Sequence, residues 1–162
     1  MRKGEKYILG GIVALSVVMV ASRSWQVATN QEEDLGIPYY TTASNETRDA
    51  AAKLMRELNC RECHSLWALK DVTQNVPAPA LDGIGSLRDE EWFYRYLSAA
   101  NPQEILPTRL KEHYKMPSYS HLEESQRRLL SSYLGSLKVK AWYLEATKKA
   151  EYEKLTGKPY QP

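Results

Sequence analysis

The chain has 162 residues, room for one domain with extensions. Its 22 basic and 20 acidic residues leave a formal charge of +2, which excludes the basic excess of a nucleic-acid binder. Two cysteines are too few for a disulfide framework once both serve one motif.

Residues 1–28 read as a cytoplasmic basic segment followed by a single transmembrane anchor. Arg2, Lys3 and Lys6 precede an uncharged apolar run from Tyr7 to Ser22. At 1.5 Å per residue that run spans about 24 Å, short of a hydrocarbon core of roughly 30 Å. Extending it to Ala28 gives about 33 Å, with Arg23 reaching to the far interface. Tyr7 and Trp25 then fall at the two aromatic belts. Basic residues before the span put the N-terminus inside and everything after about residue 28 outside. A cleaved signal peptide is the alternative, with Val20-Ala21-Ser22 as a weak cleavage site.

Residues 29–44 read as a linker. Glu32, Glu33 and Asp34 form a solvated tether, and Gly36-Ile37-Pro38 breaks regular structure. Past residue 22, nineteen basic residues face nineteen acidic ones, so any electrostatic docking must use local patches. Asn45 is the expected N-cap of a helix over about 46–59, where Ala51, Leu54, Met55 and Leu58 recur at helical spacing.

That helix delivers Cys60-Arg61-Glu62-Cys63-His64. Two cysteines two residues apart, with histidine directly after, read as a c-type haem attachment site. A zinc site needs four ligands, and only His113 and His121 lie downstream. A thioredoxin-like redox pair belongs near a βαβ pattern, and none is visible. A disulfide leaves the histidine unexplained.

The motif resembles the class I cytochrome c family, and the resemblance extends over about residues 46–138. It implies an all-α haem domain (here taken as 45–138) outside the cytoplasmic membrane. It also implies one covalent haem c on Cys60 and Cys63, with His64 as proximal iron ligand. Trp67 and Leu69 are expected against the haem edge. Residues 71–80, with Pro77 and Pro79, are irregular. Pro79-Ala80-Leu81-Asp82-Gly83 resembles the family's proline–x–leucine–x–glycine loop, although Ala78 stands where the family has glycine. That match makes the Pro79 carbonyl the acceptor of the proximal imidazole's Nδ1–H, which fixes its tautomer. An ordinary turn is the alternative.

Ser86 is the expected N-cap of a helix over about 87–99, ended by Asn101-Pro102. Trp92, Tyr96 and Ala99 share one face, with Phe93 and Tyr94 alongside, and the aromatics read as haem-facing core. Residues 103–115 show little periodicity and lead to Lys115-Met116-Pro117. Methionine before proline in a loop ahead of the last helix is the family's usual distal ligand. Met1 and Met19 lie in the membrane segment and Met55 on the helix before Cys60, which leaves Met116. His113, His121, Lys115 or an open iron position stay as alternatives.

The last helix is expected from a Ser120–Glu123 capping box, with an apolar stripe through Leu130, Tyr133, Leu134 and Leu137. Gly135 would allow a close helix crossing, and Arg127 and Arg128 read as solvated. Residues 139–162 lie beyond the resemblance. An amphipathic helix over about 140–155 carries Trp142, Tyr143 and Tyr152, and Gly157-Lys158-Pro159 breaks it. It packs on its own domain, docks another subunit, or lies on lipid.

These readings converge on a mono-haem c-type cytochrome anchored in a bacterial inner membrane. It would transfer single electrons on the extracytoplasmic, periplasmic face as the cytochrome subunit of a respiratory or photosynthetic electron-transfer complex, with no catalytic residue. Its partners would be other electron-transfer proteins or the subunits of a membrane oxidoreductase complex. A tethered shuttle is the alternative role, and a haem gas sensor or peroxidase-like enzyme the alternative class.

Overall fold

In a computed structural model of the chain, residues 3–29, 36–69, 76 and 78–162 are described. The acidic tether residues Glu32–Asp34 and Pro77 lie outside them. Two units divide the chain, one ending at Ile37 and one running Pro38–Pro162. The first holds helix α1 (Lys3–Thr29). Its Ile12, Val13, Leu15, Val17, Val18 and Val20 side chains are all exposed. Among the described residues, no helix is long and apolar enough to cross a membrane.

The second unit is built on three helices: α2 (Asn45–Glu57), α3 (Glu90–Ser98) and α4 (Glu124–Ser136). Helix α4 packs against both α2 and α3. Ala51, Leu54 and Met55 of α2, Phe93 and Leu97 of α3, and Leu130, Tyr133 and Leu134 of α4 make the shared core. Tyr133 is 1 % exposed, so the stripe read on α4 is the face that is buried.

Each helix starts a residue or more from where the sequence suggested. Ser44 caps α2, since its Oγ accepts the Thr47 N–H at 3.1 Å, and Asn45 becomes the first helical residue. Asp89 caps α3 by accepting the Trp92 N–H at 2.7 Å. Ser86 is diverted: it closes a 3₁₀ turn, Ile84–Ser86, and its Oγ accepts the Val139 N–H at 3.0 Å. The capping box of α4 is Glu123 with Gln126, three residues past Ser120.

The fold is mostly helical, but it carries a two-stranded antiparallel ribbon that periodicity missed. Strand β1 (Tyr39–Thr41) pairs with β2 (Leu137–Val139), Tyr40 opposite Lys138. Three residues are too few to show alternation. Leu137, expected on the helix, is the first residue of β2. The ribbon ties the start of the domain to its end, and Thr41 and Ser136 hydroxyls bond at 2.8 Å beside it.

Gly135 does allow a close approach, but to the start of α3 and not to α2. A Cβ on Gly135 would lie 3.1 Å from the Glu90 nitrogen. Gly85 is tighter still: a Cβ there would sit 2.3 Å from the Gly135 carbonyl oxygen and 2.6 Å from that of Leu134. Both obstacles are backbone, which cannot rotate away. Gly85→Ala is expected to cost about 3 kcal/mol of stability. Chemical denaturation checks this, and an unchanged midpoint would mean that α4 is not held this closely.

Arg127 and Arg128 are not simply solvated. The Arg128 guanidinium lies 3.6 Å over the Tyr94 ring and reaches Glu124 and Glu91. Tyr94 is therefore half-buried beneath α4 side chains. Helix α5 (Leu144–Thr156) is the tail, and it packs on its own domain: Thr147 is buried, and the Tyr39 hydroxyl donates to that of Tyr143 at 3.2 Å.

Candidate functional site

Helix α2 ends at Glu57 with Leu58 as its C-cap, and Asn59 takes a left-handed conformation (φ 55°) that turns the chain sharply. A 3₁₀ turn, Cys60–Glu62, follows, and the His64 N–H donates to the Cys60 carbonyl at 3.1 Å. This winds Cys60, Cys63 and His64 into one compact turn. The Leu81 N–H donates to the Ser65 carbonyl at 2.9 Å, which pins the following loop against it.

That pinning sets the histidine. His64 Nδ1 lies 2.7 Å from the Pro79 carbonyl oxygen. A carbonyl only accepts, so Nδ1 carries the proton and Nε2 is left with a bare lone pair. Burial holds the imidazole below its ordinary pKa, although the bond to Pro79 opposes that. The nearby Lys154 charge pushes in the same direction as burial. A neutral imidazole with a fixed tautomer is a metal ligand in waiting.

The thiols sit beside it. Cys60 and Cys63 are not joined to each other by a disulfide. Burial raises the Cys60 thiol, and the Tyr119 hydroxyl, which donates to its sulfur, partly offsets this. Burial also raises Cys63, helped by the Glu62 carboxylate. Tyr119 is itself pushed up, chiefly by burial and then by Cys60.

Cys60, Cys63, His64, Pro79 and Met116 all line one cleft. Counting its open mouth, the cleft holds about 1410 Å³, ample for a macrocycle. Its walls are mainly apolar, supplied by α2, α3 and α4. Of the α3 aromatics, Trp92, Phe93 and Tyr96 face it, with Trp92 stacked on Tyr96 at 5.1 Å. Met116 is held there by its backbone. Its carbonyl accepts from Gln103 Nε2 at 3.0 Å, and Ser118 Oγ donates to the Ala99 carbonyl at 2.7 Å. Three residues on, Tyr119 reaches Cys60, so one short segment links the Met116 loop to the cysteine turn.

The rival ligands fare differently. His113 and His121 are exposed, their rings tilted against those of Tyr114 and Tyr119, and neither lines the cleft. Lys115 does line it, but its amine bonds Glu112 at 2.6 Å. Among the described residues, no three of His, Cys, Asp and Glu gather to hold a bare metal ion. The donors on the cleft are one neutral imidazole, the thioethers of Met116 and of the buried α2 residue Met55, and two thiols around an apolar slot. They suit a metal carried in by an apolar ring that the thiols can tether.

Trp67 and Leu69 do not join the cleft, contrary to expectation. Trp67 and Ala68 have positive φ, and Leu66 and Leu69 bridge to close the turn. Asp82 accepts the Ala68 N–H at 3.1 Å, and the Trp67 indole donates to Tyr133. The tight turn therefore carries Trp67 away from the opening, and Leu69 is 60 % exposed.

Sequence reasoning missed Tyr119, Glu151 and Leu155, all of which line the cleft. The last two come from α5, whose sequence carries no sign of it. The Cytochrome c family model matches residues 49–138, more than half of the chain, beginning inside α2 and ending in β2. No curated protein and no solved structure matches the chain.

Proposed function

The chain belongs to the cytochrome c family, and we propose that it is a membrane-anchored, mono-haem electron carrier working outside the cytoplasm. The family implies haem c and haem-based electron transfer. Bound haem supplies an iron that accepts and gives up one electron. In this reading Cys60 and Cys63 would tether the ring through thioethers, and His64 and Met116 would hold its iron. Pro79 fixes the His64 tautomer and raises its basicity as a ligand. The apolar walls of α2, α3 and α4 exclude water and lower the local dielectric.

The observation that carries the reading is the 2.7 Å contact of His64 Nδ1 with Pro79, on a cleft that Met116 shares. A soft thioether favours ferrous iron and so raises the potential. It also fills the position that a gas sensor or peroxidase would keep open.

The anchor rests on sequence: an uncharged run from Tyr7 to Ser22 behind three basic residues. The exposed aliphatic side chains along α1 need an apolar surrounding, lipid or another helix. The partners are other redox proteins at the membrane. Because α5 is packed on its own domain, the tail does not favour a fixed subunit over a tethered carrier.

Membrane fractions containing the full chain should show a haem-stained band that survives denaturation. With residues 1–28 replaced by a cleavable export signal, the same band should move to the soluble fraction. A full chain without bound haem would sink the proposal, and a band that stays in the membrane without residues 1–28 would sink the anchor.

A further inference from the structure

Helix α5 lies outside the matched region, yet it closes part of the cleft. Glu151 forms a short ion pair with Arg88, and both side chains are largely buried, 14 % and 17 % exposed. The Arg88 guanidinium also lies 4.5 Å over the Trp92 ring. One turn along, Leu155 adds an apolar side chain to the cleft wall. Gly157 ends the helix in a left-handed conformation (φ 69°), where a Cβ would sit 2.8 Å from Arg109 Nε. The helix is thus fixed at three points along its length.

Between the first two points lies Lys154. Its Nζ donates to the Ala78 carbonyl at 3.0 Å. Ala78 is buried and immediately precedes Pro79, whose carbonyl holds His64. An ammonium is therefore held one peptide unit from the group that orients the proximal imidazole.

Resting on the function proposed above, we infer that α5 is a permanent wall of the haem cleft and that Lys154 is a positioning residue that raises the reduction potential from the proximal side. The sign follows from charge. Reduction adds an electron to the iron, and a fixed cation nearby favours the more negative state. The hydrogen bond to Ala78 also stiffens the loop that sets the His64 ring.

The test is redox titration of the full, haem-loaded protein in detergent, comparing wild type with Lys154→Gln and Lys154→Arg. Glutamine keeps a donor for the Ala78 carbonyl but no charge, and arginine keeps both. Lys154→Gln is expected to shift the oxidised-to-reduced ratio at a fixed potential about threefold to tenfold toward the oxidised form. Tenfold corresponds to a midpoint about 59 mV more negative. Lys154→Arg should match wild type, and all three should share one ferric spectrum. An unchanged midpoint in Lys154→Gln would overturn the inference while leaving the haem site intact. Equal shifts in both variants would do the same, because fit and not charge would then be responsible. Loss of haem from Lys154→Gln alone would make Lys154 structural. Absence of haem from wild type would instead overturn the function on which the inference rests.

Discussion

Met116→Ala is expected to drop the reduction potential on the order of a few tenths of a volt, within the roughly 0.8 V that axial ligands command. It should also abolish the weak far-red band of methionine on ferric iron and let cyanide or carbon monoxide bind. The argument is one of supply. The exposed His113 and His121 do not line the cleft, and the Lys115 amine is paired with Glu112 at 2.6 Å. Met55 also lines the cleft but is buried on α2 among the core side chains, 3 % exposed, so alanine leaves no ready replacement donor. The fold should tolerate the change. The loop is held by its backbone, through Gln103 to the residue 116 carbonyl and Ser118 to Ala99, and neither bond uses the thioether. Equilibrium potential, the far-red spectrum and ligand titration together check it. A variant with the native spectrum and potential would remove Met116 from the iron and return Lys115 to consideration.

Much of that site was legible before any coordinates, and the reason is local chemistry. Cys60, Cys63 and His64 are adjacent in sequence, so their meeting is set by one turn. Pro79 and Met116 were reached through short motifs whose loops the fold then fixed by backbone hydrogen bonds. Helix capping was less legible because several small polar residues cluster at each start. Ser44 and Asn45 both suit the cap of α2, and only the left-over N–H of Thr47 decides between them. Ser86 looked like a cap and became a partner for Val139, 53 residues away. Such choices are long-range, and periodicity cannot see them. The ribbon of β1 and β2 escaped for the same reason: three residues with intermediate, exposed and intermediate burial carry no readable pattern. Helix α5 was legible as a helix but not as a wall. What turns Glu151 inward is Arg88, and nothing in the tail's own sequence names that partner.

Replacing both Cys60 and Cys63 with serine is expected to release all haem into acid–acetone, where the wild-type chain should keep it. The two cysteines are expected to matter chiefly as that tether. They are not bonded to each other, and Cys60 makes a single side-chain hydrogen bond with Tyr119, which serine can largely reproduce. A purely structural pair would therefore change little when replaced. A haem tether would change a great deal, because the apolar side chains of α2, α3 and α4 around the cleft depend on the ring to cover them. Without a tether the ring is held only by His64 and Met116, and its local concentration falls to that of the free cofactor. Stability should drop on the order of 4 kcal/mol or more, the range reserved for losing a structural link or metal. Thermal melts followed by circular dichroism measure that, alongside haem staining of denatured chains. Alkylation separates the remaining rival. In the wild-type holoprotein both sulfurs should resist iodoacetamide even when unfolded, because a thioether has no thiol to modify. Two labelled cysteines would make Cys60-Arg61-Glu62-Cys63 a redox pair, and the Pro79-held histidine beside it would then need a different explanation.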